Sequence, residues 1–245
     1  MRKSQLVIVS AVGFLTLVMI VMAGLGRVAL SQSDFGMTRL AASSAVVVGE
    51  QITKTFDLED FRSVAIEGLW QVNLTQGDEW QVEVSHSEDL EDDLNVYVRG
   101  DRLVLNRRSS GGWRWWRRSK TRLSAEIVMP ELSELDLAGA NELDLSGFAG
   151  DQLKVEVAGA NQVEGRDGRY DNLDLSVAGA SEIDLGGIVV TAAKVDIAGA
   201  SKVTLSMNGG VLAGSMAGAG AIGYYGTVAE ERVRIAGIGR VNHLD

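Results

Sequence analysis

Three acidic residues spaced 20 apart, Asp144, Glu164 and Asp184, are the first feature of this 245-residue chain that could do chemistry. If each occupies the same place on stacked strands, neighbouring carboxyls lie about 5 Å apart, close to the separation of the pair in a retaining glycosidase. A second feature is the stretch from Arg107 to Arg122. It holds Arg107, Arg108, Arg114, Arg117, Arg118, Lys120 and Arg122, no acid, and Trp113, Trp115 and Trp116, three of the five tryptophans. Tryptophan beside arginine suits an anionic lipid headgroup, a phosphorylated envelope glycan, or the acidic face of another copy of the chain. These are the surface-binding candidates. The two histidines, His86 and His243, lie far apart, have no neighbours at metal-ligand spacing, and are expected at the surface. With no cysteine there is no thiolate site, disulfide or cysteine nucleophile. No metal or cofactor is expected.

The element that must position the acids is a repeat. The phrase Ala138-Gly139-Ala140-Asn141 returns at Ala158, Ala178 and Ala198 in steps of 20, with Ser in place of Asn in the last two, and looser copies follow at Ala217 and Ala236 in steps of 19. A period near 20 is too short for a helical pair or a propeller blade, so each unit reads as one coil of a β-solenoid. Leu135 and Leu137 flank Asp136, and Leu143 and Leu145 flank Asp144, an alternation that turns aliphatics inward and acids outward. Gly139, Gly159, Gly179, Gly199, Gly218 and Gly237 are expected to line up at one sharp corner, where positive φ or close backbone approach requires glycine. The fold class is therefore all-β, a parallel β-helix of 20-residue coils, right-handed by the crossover preference of parallel strands. Coils of such uniform length leave no room for long loops that would wall a cleft. The acid column accordingly reads as a solvated face, and a carbohydrate-active β-helix enzyme is the alternative to a non-enzymatic binding module.

Residues 1–27 set the compartment. Arg2 and Lys3 precede an uncharged run from Leu6 to Gly26 that would span about 31 Å as a helix, near the thickness of a bilayer core. This reads as a signal-anchor or transmembrane segment with the remainder of the chain exported, facing the periplasm or cell exterior. Cleavage after Ala29-Leu30-Ser31 is the competing reading. Residues 28–49 read as a flexible tether and 50–245 as the folded domain. Within it, Glu67 to Leu74 aligns with Ala138 to Leu145 as a degenerate first coil. Residues 77–130 read as an antiparallel hairpin insertion covering that coil, with the tryptophan-rich stretch as a hairpin tip, and 132–245 as the regular coils. A net charge of −10 argues against nucleic acid as a partner. The expected partners are the membrane, through the N-terminal helix, an anionic lipid or envelope glycan, and another copy of the chain.

The order Phe56-Asp57, Val64-Ala65-Ile66-Glu67-Gly68, Val72-Asn73-Leu74-Thr75-Gln76-Gly77-Asp78, Val82-Glu83-Val84, Gly100-Asp101-Arg102-Leu103-Val104-Leu105 and Met129-Pro130-Glu131-Leu132, followed by the Gly-Ala-Asn/Ser repeats, resembles the head (GIN) domain family of auto-transporter adhesins. The resemblance covers roughly residues 50 to 245. It implies a parallel β-helix exposed in the bacterial envelope and an adhesive role, and it brings no catalytic residues.

Overall fold

The computed structural model describes residues 51–87, 94–107 and 123–245, all in strands and their connections. The anchor and tether read over 1–49 lie outside these residues, and among the described ones no helix is long and apolar enough to cross a membrane.

Alternating aliphatic and polar residues build two continuous walls. On the first, β2 (Ser63–Gly68), β8 (Glu134–Gly139), β10 (Ala149–Gly159) and β12 (Gly168–Gly179) run parallel. On the second, β3 (Trp70–Gln76), β9 (Glu142–Ser146) and β11 (Gln162–Arg166) do the same. Three long strands, β13 (Glu182–Asn208), β14 (Val211–Thr227) and β15 (Glu230–His243), bend through the corner and continue both walls. The steps between coils are those of the repeat, so like residues stack. Val64, Leu135, Val155, Leu175 and Val195 form one inward column, and Ile66, Leu137, Val157, Val177 and Ile197 the next. All of them are buried. At about 1.5 to 3 kcal/mol per fully buried aliphatic side chain, these columns are the main source of stability. Phe148, Tyr170 and Val190 close the core from the remaining side, where the Tyr170 hydroxyl donates to the Leu132 carbonyl at 2.9 Å. The degenerate first coil is in the register read from the sequence, with Gly68 beside Gly139 and Val72 beside Leu143.

The insertion departs from the sequence reading. β4 (Gln81–Ser87) does pair antiparallel with β1 (Gln51–Phe56) and β7 (Leu123–Met129), and β5 (Leu94–Arg99) with β6 (Arg102–Arg107). However, β6 is parallel to β2 on the first wall, and β7 is parallel to β3 on the second. Together β6 and β7 form a further coil of the solenoid. Residues 108–122, which join them in sequence and read from it as a hairpin tip, lie outside the described residues. Alternation specifies which face of a strand is buried but carries no information on which strand it pairs with, and a 15-residue gap forces no tight turn between β6 and β7.

Candidate functional site

The corner is the most constrained line on the molecule. Gly68, Gly139, Gly159, Gly179, Gly199, Gly218 and Gly237 all have φ between 111° and 140°. From Gly139 onward, a Cβ on any of them would fall under 3.0 Å from the carbonyl oxygen of the glycine one coil earlier. That closeness allows the backbones to hydrogen-bond around the bend. Ala140 N–H donates to Gly68 O, Ala160 N–H to Gly139 O and Ala180 N–H to Gly159 O, each at 2.8 Å. The alanines on either side are solvent-exposed in coils such as Ala138-Gly139-Ala140 and Ala158-Gly159-Ala160.

Sequence reasoning missed the fourth residue of the phrase. Asn141, Asn161, Ser181 and Ser201 are buried and form a polar ladder inside the corner. Asn141 Oδ1 accepts the Trp70 N–H at 3.2 Å, and Asn161 Oδ1 accepts both the Asn141 N–H at 3.0 Å and its Nδ2 at 2.9 Å. Ser181 Oγ accepts the Asn161 N–H, and Ser201 Oγ the Ser181 N–H, both at 3.2 Å. Each side chain thus satisfies a backbone donor of the preceding coil at a bend where the strand ladder opens. In the next coil the position is Gly220, and there the strands pair directly through the corner, Ser201 beside Gly220. The signal was present in the sequence as a small hydrogen-bonding residue that never varies to an aliphatic over four coils.

Asp144, Glu164 and Asp184 do stand in one outward column. Arg166 reaches both Asp144 at 3.1 Å and Glu164 at 3.5 Å, while an Asp184 carboxylate oxygen accepts the Gly186 N–H at 2.9 Å. The column is an open, partly neutralised wall. Replacing Glu164 by Ala should shift unfolding free energy by no more than about 0.5 kcal/mol, as for exposed ion pairs generally, and leave binding unchanged. Urea titration checks the first, weaker binding to anionic vesicles by the folded variant would overturn the second, and loss of a hydrolytic activity would revive the enzyme alternative.

The other wall carries a tighter charge cluster. Arg102 on β6 contacts Glu134 and Asp136 on β8 across the intervening β2, and Lys154 binds Glu134 and Glu156, each at 2.8 Å. Lys154, together with Arg102, holds the Glu134 carboxyl below its ordinary range, whereas burial pushes Asp136 up despite Arg102. The cluster ties the N-terminal coil to the regular ones.

Of the histidines, His243 is exposed, but His86 is fully buried, contrary to expectation. The two-residue period of β4 puts Val82, Val84 and His86 on one inward face, and the His86 Nδ1 lies 2.9 Å from the Ser87 carbonyl. Among the described residues no group of acids and histidines could hold a metal ion. Of the surface-binding candidates, only Arg107 is described, at the end of β6 beside the corner line. Arg108, Trp113, Arg114, Trp115, Trp116, Arg117, Arg118, Lys120 and Arg122 lie outside the described residues. The positions that bracket them are informative. Glu67 pairs with Asn106 and Trp70 with Leu123, so the described ends of β6 and β7 lie beside the two sides of the Gly68-Leu69 bend.

Uniform coils, a glycine corner and open charged walls define a β-solenoid that presents surface. A family model described as "Putative auto-transporter adhesin, head GIN domain" matches residues 60–193, more than half of the chain, and the protein belongs to that family. Among solved structures, it is similar to a putative adhesin from Bacteroides fragilis at 16% identity and a TM-score of 0.60, covering 80% of this chain and 97% of that one. Putative adhesins from Parabacteroides distasonis and Parabacteroides merdae, each 18% identical, give TM-scores of 0.46 and 0.45 and cover 80% and 81% of this chain and 98% of their own. At such identities the likeness is one of fold. No curated protein matches the chain.

Proposed function

We propose that this protein is a non-enzymatic binding module of the bacterial envelope, exported, held at the membrane by residues 1–27, and wound as a right-handed β-helix. Its adhesive contact is made by residues 107–122, which rest on anionic lipid at the outer face of the membrane that holds the anchor. The observation that supports this reading is positional. Residues 107–122 carry seven cationic residues and three tryptophans, and the strands that flank them, β6 and β7, belong to the same end of the solenoid as β1, the described strand nearest in sequence to the anchor. An anchored neighbour raises the effective concentration of the contact, so weak docking is populated. Each Lys or Arg near an anionic surface contributes about 1 kcal/mol, and tryptophan suits the headgroup layer.

The test is the intrinsic tryptophan emission of protein lacking the first 49 residues, titrated with anionic and with neutral vesicles. A blue shift with anionic vesicles alone is expected, fading as salt shortens the screening length, and lost when Trp113, Trp115 and Trp116 are changed to Ala. An unchanged wild-type emission at low salt, or equal binding by the triple variant, would remove lipid as the partner.

A further inference from the structure

The last coil breaks the pattern of the others in the columns that elsewhere are apolar. Glu231 follows Leu153, Leu173, Ala193 and Leu212 in one inward column, and His243 follows Leu205 and Tyr224 in another. Both lean on the end of the core. The Tyr224 hydroxyl donates to Glu231 Oε2 at 3.3 Å, the His243 ring tilts against that of Tyr224 with centroids 5.3 Å apart, and His243 Nε2 lies 2.8 Å from the Gly226 carbonyl. Polar residues in place of core aliphatics mark a terminal coil, as in capping repeats of solenoids.

Yet one edge of this coil has no partner among the described residues. β15 pairs with β14 on one side and with no described strand on the other. A row of backbone N–H and C=O groups therefore faces outward along Glu230–His243, with Ile235 41% and Ile238 85% exposed beside it. In the inner coils the carbonyls of Gly68, Gly139 and Gly159 each accept from the alanine of the next coil, and Gly237 has no next described coil to serve. Open edges of this length are templates for another strand.

We propose that a second copy of the chain covers this edge, the two β15 strands lying antiparallel across a twofold axis through Gly237. The strand bends at that glycine, so this axis is the one that lays each arm of the bend along an arm of the other copy. Each residue before the corner then faces the one equally far beyond it. Ile235 meets Gly239, Ala236 meets Ile238, Val233 meets Val241 and Glu231 meets His243. Large side chains oppose small ones twice, apolar opposes apolar, and an acid opposes an imidazole, as a self-complementary interface requires. Arg234 meets Arg240, the one like-charged pair. That pair gives the interface its own salt dependence, since screening the repulsion strengthens association, the reverse of the sign expected for lipid binding by residues 107–122. Dimerisation is thus separable from the lipid contact, and either can fail alone.

The chain has no cysteine, so pairs can be introduced cleanly. Ala236→Cys and Ile238→Cys, prepared separately as full chains in detergent, mixed and mildly oxidised, are expected to give a disulfide-linked dimer at least about fivefold more abundant than either variant alone, because only the mixed pair is opposite in the proposed register. The yield should rise with salt. Ala158→Cys mixed with Ala160→Cys, the equivalent corner positions of an inner coil, should give none above background. In sedimentation of the otherwise unchanged chain, Ile238→Arg should weaken the dimer at least about tenfold with an unaltered thermal melt, since the side chain it replaces is exposed. No cross-linked dimer, equal yield from the inner-coil pair, equal yield from the single variants, or a dimer indifferent to Ile238→Arg would each overturn the proposal.

Discussion

Replacing Gly179 with valine is expected to destabilise the domain by about 3 kcal/mol or more, and in the cell to leave little folded protein. Two costs coincide at this position. Its φ of 130° lies in a region that a β-branched residue scarcely enters, and the new Cβ would fall under 3.0 Å from the Gly159 carbonyl oxygen and its carbon. The obstacle is backbone, and that backbone is already fixed by the Ala180 N–H, which donates to the same oxygen at 2.8 Å. Neither partner can move without opening the corner in the coils above and below. Gly100 separates the two costs. It also has positive φ, 70°, but a Cβ there would meet nothing within 4 Å. Gly100→Asn, which tolerates that conformation, should cost no more than about 1 kcal/mol. Denaturant titration of both variants checks the contrast. Equal losses at the two positions would mean that backbone conformation alone sets the cost, and that the stacked approach of neighbouring coils contributes nothing.

The repeat made the coils legible because period two and period 20 are both written in residue type. An aliphatic at Val155, Leu175 and Val195 can only be a core column once the coils stack, and a glycine recurring at one phase can only be a bend. The outward acids followed from the same phase. What escaped was whatever depends on partner choice or on a polar residue turned inward. β6 and β7 alternate like any other strands, and nothing in Arg102 to Arg107 or Leu123 to Met129 states that their neighbours are β2 and β3 in parallel. The buried His86 sits where the phase of Val82 and Val84 puts it, but its polarity argued for the surface. Asn141 and Asn161 were hidden for a further reason. The exposed Ala-Gly-Ala segment interrupts the alternation, so the phase has to be restarted after the bend, and the first residue of the new phase is a polar one. The lipid contact proposed for residues 107–122 rests on their composition and on the place of their flanking strands, β6 and β7.

The polar ladder gives the second large effect. Asn161→Ala is expected to cost about 2 to 3 kcal/mol, because it strips partners from donors that water cannot reach. Asn161 Oδ1 accepts the Asn141 N–H at 3.0 Å and the Asn141 Nδ2 at 2.9 Å, and its own Nδ2 donates to the Ala158 carbonyl at 3.1 Å. Asn141 and Asn161 are both buried, so the truncation leaves the Asn141 donors facing a methyl group. The serines one and two coils on show which substitution should be tolerated. Ser181 Oγ accepts the Asn161 N–H at 3.2 Å and donates to the Gly159 carbonyl at 3.4 Å, so one hydroxyl serves a backbone donor and a backbone acceptor at once. Asn161→Ser should therefore cost about 1 kcal/mol or less, while Asn161→Val, which fills the space without accepting a hydrogen bond, should be at least as damaging as alanine. Hydrogen exchange at the Asn141 amide gives an independent readout: it should accelerate in the alanine and valine variants and stay protected in the serine one. If valine proved as stable as asparagine, the column would be a packing device, and its recurrence over four coils would owe nothing to the unpaired donors of the bend.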